Sequence, residues 1–370
     1  DILERMAKKI RSHTPDAYII LEQFAANAEE IVLATDSMML WGNANGSYAQ
    51  STMGYTTDSD IEWGYYKTRG WTAPRLVTYM ESHDEERLMY KNLQYGNSSG
   101  SYSAKNLSLA LSRMKAANLF FLTLPGPKLI WQFGELGYDQ SINTCPDNTV
   151  NSSCRVAAKP VLWDYQTVPA RQDLSIHISD LLRLRNTYPV FTNGDAVLSG
   201  GNALVKQIAI KSVPYTPSPS DASQMNIQLL ANFDVVSSNA TVDFPHDGIW
   251  YDYYAHGKPL DATGTQTIAL EPGAYKMYTD VLIENPIVMG VPPKEKPAVV
   301  FYPNPATDVL TVELDNAVPV SLTLRTLQGS KISPPSVSSN SWDIHDLSPG
   351  MYFAEIRTSD TCYWVKMIKK

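Results

Sequence analysis

The chain has 370 residues, 44% of them apolar and 18% charged, the make-up of a folded protein with room for two or three domains. A net charge of −8, with no basic cluster beyond the closing Lys366-Met-Ile-Lys-Lys370, argues against a nucleic-acid partner. No apolar run reaches the length of a membrane-spanning helix.

In chain order, residues 1–13 read as an amphipathic helix rather than a signal peptide, with Ile2, Leu3, Met6, Ala7 and Ile10 on one face. A strand is expected over 17–22, a second helix from Ala25 to Leu33, and an apolar segment at Met38–Trp41. A chain that opens inside a helix feeding a strand reads as the continuation of polypeptide upstream. A Gly/Ser/Tyr-rich loop and a helical patch at 58–69 precede a strand over 75–80. The clearest helix runs from Ala104 to Leu122, where Leu107, Ala110, Leu111, Met114, Ala117, Leu119 and Phe121 keep helical spacing until Pro125-Gly126-Pro127 stops it. A short strand, Lys128–Phe133, follows, and then an amphipathic helix from Leu174 to Arg185 ending near Tyr188-Pro189. Four strand–helix units in series imply a parallel sheet with right-handed crossovers, half of an eightfold barrel.

From about Val197 the pattern is β only. Strands are expected at 209–213, 226–233, 240–244 and 267–270, forming a small antiparallel sandwich. Residues 281–297, with Pro286, Pro292, Pro293 and Pro297, read as a linker. A second β unit starts at Ala298. The expected domains are 1–192, 193–280 and 298–370, joined across 281–297.

Of the three cysteines, Cys145 and Cys154 bracket a short polar loop that a disulfide would close, which would place the chain in an oxidising compartment. Two free thiols are the alternative, and Cys362 has no evident partner. Spacing and the lack of flanking histidines argue against zinc. The 21 tyrosines and 8 tryptophans suit carbohydrate stacking and suit ordinary β-domain cores equally well.

Acidic groups sit abruptly at the ends of two apolar strands. Glu22 ends Ala17-Tyr-Ile-Ile-Leu, where a covering loop would desolvate its carboxyl and suit it to donating a proton. His83-Asp84 follow Leu76–Met80, at what would be the mouth of the sheet, while Glu85 and Glu86 read as the solvated start of a helix. Gly134-Glu135 is a third strand-end acid, compatible with loop anchoring.

The pieces Ile20-Leu-Glu22, Tyr79-Met-Glu-Ser-His83-Asp84 and Leu124-Pro-Gly-Pro-Lys-Leu-Ile-Trp-Gln-Phe-Gly-Glu135 occur in the order and spacing of the α-amylase family of glycoside hydrolases. They resemble its fifth, seventh and eighth barrel strands, and the resemblance runs from residue 1 to about 280. It implies a fold class of α/β plus all-β: the C-terminal half of a (β/α)8 TIM barrel, a β-sandwich and a second small β-sandwich. By this resemblance Glu22 is the general acid/base, Asp84 supports the oxocarbenium-like transition state, and His83 donates a hydrogen bond to the same sugar. The chemistry implied is retaining double displacement on an α-glucan. The family's nucleophilic Asp ends the fourth strand, upstream of the acid. That strand, its three predecessors and the customary calcium site are therefore expected on polypeptide preceding Asp1, with no cofactor in this segment. An α-glucan transglycosylase or branching enzyme stays open within the class, and a non-catalytic surface glycan-binding protein outside it.

A second resemblance covers 298–370. Phe301-Tyr-Pro-Asn-Pro-Ala-Thr-Asp308, Leu347-Ser-Pro-Gly-Met-Tyr-Phe353 and Trp364-Val-Lys-Met-Ile-Lys-Lys370 are similar to the C-terminal sorting domain of the type IX secretion system. It implies a secreted or cell-surface protein of a Bacteroidetes-type bacterium, with the secretion machinery as a partner.

Overall fold

Four parallel strands lie side by side in chain order: β1 (Ile20–Leu21), β2 (Met39–Asn43), β3 (Leu76–Tyr79) and β4 (Lys128–Leu129). They belong to a computed structural model that describes residues 2–214, 224–283, 299–314, 318–326, 330–358 and 362–370. Register runs Ile20↔Met39, Leu40↔Leu76, Trp41↔Val77 and Tyr79↔Leu129. All four residues of β3 are buried, as expected of a strand covered on both faces. Helix α1 (Ile2–Arg11) precedes the first strand, α2 (Asn27–Thr35), α3 (Asn45–Met53), α4 (Leu88–Tyr95) and α5 (Leu107–Thr123) fill the connections, and α6 (Pro169–Thr187) follows the last strand. Helix α5 starts at Asn106, whose Oδ1 accepts the Ser108 and Leu109 N–H groups at 3.0 and 3.2 Å. Pro169 opens α6, where its missing N–H costs nothing.

Several elements depart from their sequence expectation. The strand at 17–22 shrinks to two residues because β1 pairs only with β2, and only Ile20 and Leu21 find partners there, Met39 and Leu40. The strand at 128–133 stops at Leu129, because the chain turns at Trp131, whose carbonyl accepts the Gly134 N–H at 2.9 Å. The helical patch at 58–69 is one 3₁₀ turn, Glu62–Gly64, whereas α3 forms in the stretch read as a loop and buries Tyr48, Ala49 and Met53. Tertiary burial, rather than intrinsic propensity, makes that helix.

Eight further strands follow: β5 (Asp195–Ser199), β6 (Val205–Lys211), β7 (Asn226–Asn232), β8 (Ser238–Asp243), β9 (Gly248–Asp252), β10 (Lys258–Ala262), β11 (Thr265–Leu270) and β12 (Tyr275–Thr279). Six make an antiparallel sheet in the order β10-β9-β12-β7-β6-β5, and β8 pairs with β11 as a separate ribbon. The β9–β10 hairpin was not expected from the sequence. Strand β7 is buried throughout because both its faces are used. Ile227, Leu229 and Ala231 join the helical core with Phe120, Leu181 and Met277, while Leu230 meets Ala240, Val242, Trp250 and Leu270 under the ribbon.

The chain divides into two compact units, Asp1–Ile287 and Val288–Lys370. Most of the expected linker, from 284 onward, lies outside the described residues. The second unit has strands β13 (Val299–Tyr302), β14 (Val309–Leu314), β15 (Ser321–Arg325), β16 (Lys331–Ile332), β17 (Ser336–Ser338), β18 (Ser341–Asp343), β19 (Gly350–Arg357) and β20 (Cys362–Lys369). They form two four-stranded sheets, β13-β14-β18-β17 and β16-β15-β19-β20, around Leu310, Val312, Leu324, Trp342, Ile356 and Met367.

Candidate active site

Because the four strands are parallel, the residues just beyond their carboxyl ends gather on one rim. Glu22 follows β1, Asn43 ends β2, the run Glu81–Arg87 follows β3, and Trp131 lies just past β4. The rim brings Glu22 to His83, with Glu22 Oε1 3.4 Å from His83 Nε2 and both side chains about half exposed. No loop covers Glu22 as the sequence reading expected, since its side chain keeps 49% of its accessible surface. Trp41 stands edge-on to His83 at 5.8 Å between ring centroids, and Trp131 is tilted against it at 6.0 Å. The imidazole is thus walled by two indoles, a surface suited to the apolar faces of sugar rings.

Asp84 turns elsewhere. Its Oδ1 accepts from Arg155 Nη2 at 3.1 Å, and the same nitrogen donates to the Asp84 carbonyl at 2.5 Å. No hydrogen bond or ion pair joins Asp84 to Glu22 among the described residues.

Glu85 and Glu86 are not the solvated helix start expected from the charge run. Glu85 Oε1 accepts from Asn43 Nδ2 at 2.7 Å and Tyr79 OH at 3.2 Å, and its Oε2 accepts from Ser82 Oγ. Glu86 accepts from Ser141 Oγ and from the Ile142 N–H, both at 2.7 Å. The helix dipole is met instead by Glu81, whose Oε1 accepts the Leu88 N–H, the first of α4, at 2.7 Å. Glu81 is fully buried, and that burial raises its pKa above the usual carboxylate range, against the lowering by the Leu88 N–H and the Arg87 charge. A Cβ on Gly134 would come within 3.2 Å of Glu81 Oε2, so a side chain there would press on that carboxyl.

Cys145 is bonded to Cys154, closing a loop that Arg155 directly follows. Lys159 Nζ donates to the Cys154 carbonyl at 2.6 Å and to that of Thr144 at 3.3 Å, lacing the same loop. Among the described residues no group of three or more His, Cys, Asp or Glu side chains is arranged to hold a metal ion. Sequence reasoning missed Trp41, Trp131 and Arg155 as site residues. The two tryptophans stood inside quoted strand segments, where an indole at a strand end was a readable signal; nothing local marked Arg155.

Three solved structures are similar to this chain. An Anoxybacillus α-amylase superposes with a TM-score of 0.51 at 15% identity, covering 75% of this chain and 55% of its own. AmyP in complex with maltose gives 0.53 at 16% identity, with 71% and 55% covered. CldA, a cyclomaltodextrin glucanotransferase with a three-domain ABC distribution, gives 0.54 at 16%, with 76% and 53% covered. The chain has the α-amylase fold. It spans about half the length of the α-amylase-fold structures it matches. Residues 300–370 match the family described as the secretion system C-terminal sorting domain. No curated protein matches the chain by sequence.

Proposed function

We propose that this chain is the C-terminal part of a secreted, retaining glycoside hydrolase acting on α-1,4-glucans such as starch or glycogen. The observation that carries the reading is the meeting of Glu22 and His83 at 3.4 Å across two strand ends, with Asp84 next in sequence. In this reading the four parallel strands are the second half of an eightfold barrel whose first half lies on preceding polypeptide. Glu22 gives its proton to the glycosidic oxygen as the bond to the sugar breaks. A nucleophilic carboxylate from the preceding half takes the anomeric carbon, standing about 5–5.5 Å from Glu22 as a retaining mechanism requires. Glu22, now ionised, removes a proton from the water that releases the product. Asp84 accepts hydroxyls of the distorted ring and favours its positive charge, while His83 donates to the same sugar. Trp41 and Trp131 supply the stacking faces. The tail at 300–370 sends the protein through the type IX machinery to the surface or the medium of a Bacteroidetes-type bacterium.

The test is product analysis of the full-length polypeptide on amylose. Release of short α-1,4 oligosaccharides supports the reading. New α-1,6 linkages would make it a branching enzyme, and binding without products would make it a surface glycan-binding protein. Residues 1–370 alone are expected to be inactive, because the nucleophile is not among them; robust starch hydrolysis by that segment refutes the division of the site.

A further inference from the structure

We propose that Arg155, held by the Cys145–Cys154 loop, is the positioning residue of Asp84. The inference rests on the reading of Asp84 as a transition-state-stabilising carboxylate. An exposed ion pair is ordinarily worth little. This one has a geometry that acts on orientation: Nη2 takes both the backbone carbonyl and Oδ1 of one residue, at 2.5 and 3.1 Å, which pins the carboxylate against its own main chain. Oδ2 carries no hydrogen bond among the described residues and is the oxygen left for a sugar hydroxyl.

The guanidinium is itself held from behind. Arg155 directly follows Cys154 and the 3₁₀ turn Ser152–Cys154, which is capped by Asn151 Oδ1 accepting the Ser153 N–H at 3.0 Å. The disulfide and the bridge from Lys159 to the Thr144 and Cys154 carbonyls fix the two limbs of the loop to each other. At its base the loop is tied to the run that carries Asp84, because Glu86 accepts from Ser141 and Ile142. Asp84 and Glu86 therefore grip the two flanks of one disulfide-closed loop, Arg155 after it and Ser141-Ile142 before it, and a change in the loop changes where the Asp84 carboxylate stands.

The experiment compares five forms of the full-length polypeptide on amylose: the parent, Arg155→Ala, Arg155→Lys, the double variant Cys145→Ser/Cys154→Ser, and that double variant combined with Arg155→Ala. Misplacing a catalytic group by about 1 Å costs roughly 100-fold, so Arg155→Ala should lower kcat by about that factor with a much smaller change in KM. Its thermal midpoint should stay near that of the parent, because the pair is exposed. Arg155→Lys should recover much of kcat, since an ammonium still attracts both oxygens, though not as a planar fork. The cysteine variant should lose kcat although Arg155 is present, and adding Arg155→Ala to it should cost little more, because both changes act on one contact. An unchanged kcat in Arg155→Ala, or losses that multiply in the combined variant, overturns the role of Arg155 and leaves the reading of the site standing. A parent with no activity on α-glucans overturns both.

Discussion

Glu22 and His83 touch across a strand that belongs to neither. Strand β2 separates β1 from β3 in the sheet, yet Glu22 Oε1 lies 3.4 Å from His83 Nε2. Trp41, in β2, stands edge-on to His83 at 5.8 Å between ring centroids. The separation is loose for a hydrogen bond.

Removing either acid should abolish turnover without unfolding the protein. General acid/base groups contribute roughly 10²–10⁴-fold, so Glu22→Gln in the full-length polypeptide should reduce kcat on amylose by at least that order. Asp84→Asn should do the same by removing charge where positive charge develops. Circular dichroism and thermal melting should match the parent, because both side chains are well exposed. Retained activity in either variant would remove that residue from the mechanism.

Two buried groups should bend the pH dependence of stability in opposite directions. His177 lies against Tyr254 and Tyr275, its Nε2 3.1 Å from the Lys115 carbonyl. Burial, with the Lys115 charge in second place, pushes its pKa from 6.5 down to about 3. The unfolded chain therefore takes up a proton below about 6.5 that the native protein refuses, and stability falls as pH drops from there towards 3. Glu81 has its pKa raised by burial, so the native protein keeps a proton that the unfolded chain releases. Its contribution is present at low pH and is lost as pH rises through the folded value. Urea unfolding across a pH series should show a flatter acid limb in His177→Gln and a smaller loss with rising pH in Glu81→Gln.

Arg171 should be one of the costliest positions in the first unit. It is buried over the Tyr165 ring at 3.7 Å, donates to Asp139 Oδ2 at 2.6 Å and to the Leu136 carbonyl at 2.9 Å, and also bonds the Gly137 carbonyl. These bonds fasten the turn after β4 to α6. Breaking a buried pair on one side costs about 3–5 kcal/mol, so Arg171→Ala should lower unfolding free energy by that amount in urea titrations. A loss under about 1 kcal/mol would mean that the turn is held by other contacts.

Deleting 300–370 should leave the protein inside the cell envelope of a type IX-competent host. Fractionation and surface proteolysis of parent and truncated forms check this. Equal amounts of both outside the cell would show that the sorting-domain match does not govern export.

Apolar runs and the stops beside them made much of the fold readable from the sequence. Helix α5 carries apolar residues on nearly every side because it is buried nearly all round, and its cap and its Pro-Gly-Pro stop lie within the segment itself. The Tyr-Pro-Asn-Pro opening and basic end of the tail marked the sorting domain in the same local way. Shorter strands were less legible. Their ends are set by how far each pairs with a neighbouring strand that lies elsewhere in the sequence.

The site divides along the same line. The sequence by itself determined that Glu22, His83 and Asp84 stand directly after apolar strands, because strand type and the next residue are local properties. Only the tertiary structure decided which of these groups meet. Glu22 reaches His83 over β2, Glu81 goes inward to α4, and Asp84 is taken by Arg155 just after the disulfide-closed loop. Those pairings depend on how far each side chain projects from the shared rim and on which loop folds back over it. Both are fixed by packing between distant segments.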